Sequence, residues 1–136
     1  MPKSFITLQT ARKIAEQFST PCYVYDEASL VAQAKKALGF PNAFGLTVRF
    51  AMKAASNRAI LRLFNSLGLH IDASSAYEVE RAMLAGIPAD HISLSSQQLP
   101  DNLAELIKAG IKYNACSLRQ LDEFGKITLA PRSGCA

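Results

Sequence analysis

The 136-residue sequence has no tryptophan, three cysteines, two histidines and only 8% aromatic residues. Cys22, Cys116 and Cys135 are odd in number and far apart, with no CxxC pair and no histidine pair beside them. That pattern argues against a disulfide framework and a zinc site, and for a reducing, cytoplasmic setting; no metal is expected. Long apolar runs are missing too. Nothing approaches the roughly 20 residues that span a bilayer, and Met1-Pro2-Lys3-Ser4-Phe5 leads into a polar stretch instead of an apolar signal core. No membrane partner is expected. The formal charge of +4 is spread thinly, with Arg12-Lys13 and Lys35-Lys36 the only adjacent basic pairs. Without a basic stripe interleaved with aromatics, nucleic acid is not an expected partner. His70 and His91 each open an apolar segment, where a structural or solvent-facing role is expected.

What is present is globular: 49% hydrophobic and 19% charged residues in a chain of one-domain length. Residues 7–18 have helical spacing, with Ala11, Ile14, Ala15 and Phe18 on one face. Thr20-Pro21 breaks that run, and 22–25 (Cys-Tyr-Val-Tyr) predicts a strand. Asp26 caps a helix to about Leu38, closed by Gly39 and Pro41. From Leu46 the pattern alternates. Strands are predicted at 46–52, 69–73, 91–94 and 111–115. The helices that follow them end at Gly68, Gly86, Gly110 and Gly125. Ser75-Ala76-Tyr77-Glu78 has the form of a capping box.

Four βα units of roughly 20 residues, with no hairpin turns between strands, imply an α/β fold with a parallel sheet. A doubly wound dinucleotide-binding sheet would carry glycines in its first turn, and Lys53-Ala54-Ala55-Ser56-Asn57 has none. A (β/α) barrel gathers its chemistry at the C-terminal ends of the strands. Here those ends carry Lys53, Asp72, Ser95-Ser96 and Asn114. A full barrel needs roughly 250 residues, so the sequence predicts a single domain, residues 1–136, forming about half of a TIM-type barrel. A half barrel of this kind would expose sheet edges and an apolar inner face.

Lys53 stands out, because a lone ammonium closing a buried strand is costly unless solvated or paired. That makes it a candidate Schiff-base nucleophile. The plainer role is a strand-end lysine reaching into water. For Asp72, Ser95 and Asn114 the plain alternative is a turn former or helix cap at the end of a strand.

Four motifs, in order, carry a resemblance. Residues 20–26 (Thr-Pro-Cys-Tyr-Val-Tyr-Asp) resemble the "TPxYVYD" opening of the fold-type III decarboxylases that use pyridoxal 5′-phosphate. Residues 50–54 (Phe-Ala-Met-Lys-Ala) resemble their "YAxKAN" lysine motif. Residues 69–78 resemble "GxxxDVxSxxE", followed by the "AGxP" of Ala85-Gly86-Ile87-Pro88, and 114–121 resemble "NxDSxxEL". Within the group the diaminopimelate decarboxylases are most similar, with the ornithine, arginine and carboxynorspermidine enzymes as alternatives. A non-catalytic cofactor-binding or interaction module, pairing its open edges with another chain, is the alternative outside catalysis. The chain departs from the family pattern in places: Ala55-Ser56 displace the motif asparagine, and Cys116 and Gln120 stand where acidic residues are usual.

The resemblance implies a carboxy-lyase converting meso-diaminopimelate to L-lysine and CO2 with pyridoxal phosphate as cofactor. Lys53 would form the Schiff base, with Asp72, Ser95 and Asn114 as further cofactor-binding residues. It also implies a homodimer in the full-length protein and a small amino-acid substrate. In the family the phosphate cradle, the pyridine-nitrogen partner and a C-terminal β-domain come from later segments. The expectation is therefore an N-terminal fragment, inactive by itself.

Overall fold

Residues 5–129 are described by the computed structural model. A sheet of four parallel strands runs in the order β1 (Arg49–Ala51), β2 (His70–Ala73), β3 (Ile92–Leu94) and β4 (Lys112–Tyr113). A helix follows each strand: α3 (Arg58–Ser66), α4 (Ala76–Leu84), α5 (Leu103–Lys108) and α6 (Leu118–Leu129). Two further helices, α1 (Leu8–Phe18) and α2 (Glu27–Leu38), precede the sheet. Parallel neighbours in chain order, each crossover made by a helix, form the wall of a (β/α) barrel over four units. The expected α/β architecture is present.

The rhythm of the units is set at the helix ends. Gly68, Gly86 and Gly110 all have φ near +90 to +100°, a left-handed conformation in which a side chain would be strained. Each glycine follows the last turn of its helix and closes it with the same pair of hydrogen bonds. After α4, Ile87 N–H donates to Ala82 O at 3.1 Å and Gly86 N–H to Met83 O at 2.8 Å. The corresponding pairs after α3 and α5 begin at Leu69 and Ile111. These are Schellman closures. In each the next residue (Leu69, Ile87 or Ile111) is apolar and buried, so the turn that stops the helix also aims the chain into the core.

The core lies between sheet and helices. Ile71, Ala73, Ile92 and Leu94 from the strands pack with Leu61, Val79, Ala82 and Leu106 from the helices. At roughly 1.5–3 kcal/mol for each large buried side chain, this layer is the main support of the fold. A second cluster joins α2 to it through Ala34, Ile60, Phe64 and Leu69.

Strand alternation then dictates what the other face carries. Paired residues of parallel strands share a face, and the register Arg49↔His70, Ala51↔Asp72, Asp72↔Ser93 and Ser93↔Lys112 places all of these on the side away from the helices. The apolar inner face expected from the sequence is therefore corrected: the face is polar, with Ala51 its sole apolar member in the described strands. The sequence pattern hides this because each strand contributes only two to four residues, too few for alternation to show.

Other boundaries moved as well. Residues 22–25 form no strand; Tyr23 is 93% exposed, and with no neighbouring ladder β-propensity alone cannot hold a strand. The predicted 46–52 strand shrinks to Arg49–Ala51, because Met52–Ala54 tightens into a 3-10 turn. His91 falls in the 3-10 turn Ala89–His91 that leads into β3. Gly125 does not end its helix. Lys126 pairs with Asp122 and Glu123, at 2.8 and 2.9 Å, and α6 continues to Leu129 at the modest expense of one interior glycine. Residues 127–129 are helical as the last turn of α6, and 130–136 lie outside the described residues.

Candidate functional site

The C-terminal rim of the sheet brings three of the four sequence-predicted residues into contact. Asp72, on β2, accepts hydrogen bonds at Oδ1 from Ser93 Oγ and Ser95 Oγ, both at 2.8 Å. Asn114, just past β4, donates from Nδ2 to Ser95 Oγ at 2.8 Å. The result is a relay, Asn114 to Ser95 to Asp72, across three consecutive strands. Two hydroxyl donors on one oxygen fix the orientation of the carboxylate. The other oxygen, Oδ2, has no hydrogen-bond partner among the described residues and remains available.

Lys53 is not part of this relay. It sits in the 3-10 turn directly beyond β1, two residues past Ala51, which pairs with Asp72. The turn is closed by Ala55 N–H donating to Met52 O at 3.1 Å. It buries Met52 completely and leaves Lys53 exposed. The desolvation that the sequence suggested for Lys53 is thereby corrected: the strand stops before it, and the tight turn puts its side chain in solvent. Lys53 makes no ion pair among the described residues, so its amine is free to engage a ligand. Asn57 Oδ1 caps the following helix by accepting from Ala59 N–H at 2.9 Å.

Helix starts shape the rest of the rim. Ser75 Oγ accepts from Glu78 N–H at 3.2 Å, while Glu78 Oε2 accepts from Ser74 N–H at 2.6 Å. That is the expected capping box, shifted by one residue on its carboxylate arm. The same device recurs at α6, where Ser117 Oγ accepts from Gln120 N–H at 3.2 Å and Gln120 Oε1 accepts from Cys116 N–H at 2.6 Å. Gln120 goes further. Its side chain is buried, and Nε2 donates to Ser96 O at 2.9 Å and Gln97 O at 3.0 Å. A glutamate there would face two carbonyl oxygens with no proton to offer. The amide clamps the segment after Ser95 to the segment after Asn114.

Sequence reasoning missed Ser93 and Gln120. The Ser-x-x-Gln spacing at 117–120 was the available signal for the second. Ser93 had none, because a single serine inside an apolar strand says nothing about which carboxylate lies alongside. Beneath Asn114, Tyr113 stacks on Phe124 with ring centroids 5.8 Å apart, and its buried hydroxyl has no partner. Burial pushes that phenol up from its usual range, with the Cys116 thiol adding to the shift. A surface groove of about 860 Å³ between α4 and residues 96–102 is separate; none of Lys53, Asp72, Ser95 or Asn114 lines it.

The residues fit part of a site for an aldehyde cofactor: an exposed amine without an ion-pair partner, and an oriented carboxylate on the neighbouring strand, both on the rim where barrel chemistry is placed. The rim loops 52–57, 74–75, 95–102 and 114–117 contain no glycine, so a glycine-rich phosphate cradle is not among them.

Comparison with known proteins gives a consistent result. Residues 28–128 match the family model described as "Pyridoxal-dependent decarboxylase, pyridoxal binding domain". Diaminopimelate decarboxylase of Streptomyces coelicolor is 35% identical over 117 residues, covering 82% of this chain and 26% of that protein. The enzyme of the same name from Escherichia coli is 30% identical over 128 residues, covering 90% of this chain and 29% of that protein. Among solved structures, diaminopimelate decarboxylase from Helicobacter pylori complexed with L-lysine has a TM-score of 0.71 at 26% identity, over 86% of this chain and 30% of that one. That from M. jannaschii in co-complex with L-lysine has a TM-score of 0.71 at 28% identity, over 87% and 29%. This chain thus spans under a third of the length of these relatives.

Proposed function

Because the chain belongs to the pyridoxal-dependent decarboxylases, through their pyridoxal binding domain, we propose that it forms one wall of the cofactor site in an enzyme that decarboxylates meso-diaminopimelate to L-lysine. Residues 1–136 act as a single partial-barrel unit. The observation that carries this reading is the position of Lys53, exposed on the C-terminal rim and two residues past Ala51, the strand partner of the anchored Asp72. The substrate assignment draws on relatives that are diaminopimelate decarboxylases, two of them solved with L-lysine.

When bound, pyridoxal phosphate supplies an electron sink for the pair left behind as a carboxylate departs as CO2. The chain's own residues supply attachment and orientation. Lys53 Nζ would hold the cofactor aldehyde, and its exposed place on the rim would also suit it to carry a proton there. Asp72 holds negative charge close by, and Ser93 and Ser95 keep it from rotating away. Asn114 fixes Ser95, which makes it a positioning residue. The longer protein works as a homodimer in the cytoplasm, a compartment suited to the free, exposed thiols Cys22 and Cys116.

Incubation with pyridoxal phosphate, borohydride reduction and peptide mapping test this on the chain itself. Adduct concentrated on Lys53 supports the reading. Labelling of Lys53 no faster than that of exposed lysines such as Lys35 and Lys108 would sink it.

A further inference from the structure

The opposite, N-terminal rim carries a feature that the cofactor reading does not use. Arg49, His70, His91 and Lys112 recur at intervals of 21 residues, one for each βα unit. The strand register turns that period into proximity: Arg49 pairs with His70, and the His70 and His91 rings stack with centroids 4.1 Å apart. Lys112 lies one layer further along, opposite Ser93.

The hydrogen bonds fix what these groups offer. Arg49 can only donate, so its contact with His70 Nδ1 at 3.4 Å makes that nitrogen an acceptor. Asn65 Nδ2 donates to Leu69 O at 3.0 Å, which sets the orientation of its amide. Its 2.9 Å contact with His91 Nδ1 makes that nitrogen an acceptor as well. With Nδ1 accepting in each ring, the ring proton sits on Nε2. Neither Arg49 nor Lys112 has an ion-pair partner among the described residues. The one acidic group with an electrostatic effect on His70 is Asp90, which is exposed. Two cations without ion-pair partners and two imidazoles thus share this face, with Lys112 near enough to His70 to act on it electrostatically.

We propose that this rim is a binding site for a dianionic oxyanion of the phosphate class, held by Arg49, Lys112 and the Nε2–H groups of His70 and His91. Charge decides between anions. Two cations match a dianion, and the guanidinium offers paired donors to adjacent phosphate oxygens. The groups facing it are Arg49, His91, Lys112 and Asp90 around His70, with the uncharged Asn65 from α3. Lys53 lies at the far end of the strands, so the two sites stand or fall separately.

The test is a titration of the chain with inorganic phosphate at constant ionic strength, followed through the His70 and His91 ring signals by NMR. Saturable shifts at both rings, absent with chloride, are expected. Arg49→Gln and Lys112→Gln should each weaken binding by about tenfold, the order for one charge-assisted hydrogen bond, while Lys35→Gln leaves it unchanged. Lys112 is exposed, so its variant keeps the test alive if Arg49→Gln fails to fold. Shifts that do not saturate, or that chloride reproduces, overturn the site. So does equal weakening by Lys35→Gln, which would mark a diffuse field. Acetate binding as tightly as phosphate overturns the dianion and points to a carboxylate group as the natural occupant.

Discussion

Asp72 and Ser95 are joined across neighbouring strands by a 2.8 Å hydrogen bond, although 23 residues separate them in the chain. The bond ties the middle of β2 to the first residue beyond β3. It fixes the Asp72 carboxylate on the strand next to the turn that carries Lys53. A substitution at either end should be felt at the amine.

Asp72→Asn keeps an acceptor for the two serine hydroxyls and removes the charge. We expect it to slow borohydride-trapped labelling of Lys53 by roughly threefold to tenfold, the range for losing one nearby charge at a solvated site. Ser95→Ala should have a smaller effect in the same direction, since Ser93 still holds Asp72 Oδ1. Rates measured by mass spectrometry decide it. Unchanged labelling in Asp72→Asn would remove the carboxylate from the site.

Gln120→Glu should destabilise the fold, and by more at neutral pH than in acid. The new carboxylate would be buried against the Ser96 and Gln97 carbonyls, so its pKa in the folded chain rises above the ordinary ~4.3. The folded state then keeps its proton longer than the unfolded one, and stability falls as pH rises above that ordinary value. A loss of about 1–3 kcal/mol at neutral pH is expected from unsatisfied buried groups. Urea unfolding of both proteins at about pH 5 and about pH 7.5 reads the difference. A pH-independent gap would mean that the Gln120 donors contribute nothing.

Acid should weaken the native chain through the histidine pair. Burial first, then the charges of His91, Arg49 and Lys112, hold His70 below the usual histidine range, with Asp90 opposing. The unfolded chain therefore takes up the proton first as pH falls. The contribution is fully present above the unfolded value of about 6.5 and is lost as pH drops through it toward the folded value. Urea midpoints in chloride buffers should fall between about pH 7.5 and about pH 5.5, and His70→Gln should flatten that slope. Phosphate buffer would blunt it if the proposed anion site is real.

Gly86→Ala should cost about 1–2 kcal/mol for placing a side chain at φ +89°. No atom lies within 4 Å of the added Cβ, so the loss is conformational and not a clash. Gly125→Ala, in the interior of α6, should instead stabilise by up to about 1 kcal/mol. Opposite signs from two glycine substitutions in thermal unfolding are the check.

The contrast between those glycines shows what the sequence could reveal. Gly68, Gly86 and Gly110 were legible as helix stops because each sits between a helical face and an apolar strand residue. Gly125 had the same local look, but the Asp122 and Glu123 pairs with Lys126 carry the helix through it. Asp72, Ser95 and Asn114 were legible as strand-end polar residues, and the relay joining them was not, because it depends on register across strands. The basic ladder was in plain view as a 21-residue period. Its meaning came only from the stacking of His70 on His91, since a repeat in sequence does not say which face it lands on. The residues at 22–25 misled because a strand is a property of a pair, and composition describes one partner alone.

The sheet has one dry side and one wet side, and this limits what can close over it. A segment covering Arg49, His70, Asp72, Ser93 and Lys112 gains little from the exclusion of water and must answer each donor and charge with a counterpart. Joining such surfaces is selective but not forceful, and it weakens with added salt more than with detergent. The same wetness is protective. A barrel wall left open on this side offers passing chains little oil to stick to, so its exposed edges are less of an aggregation hazard than a fully apolar sheet would be.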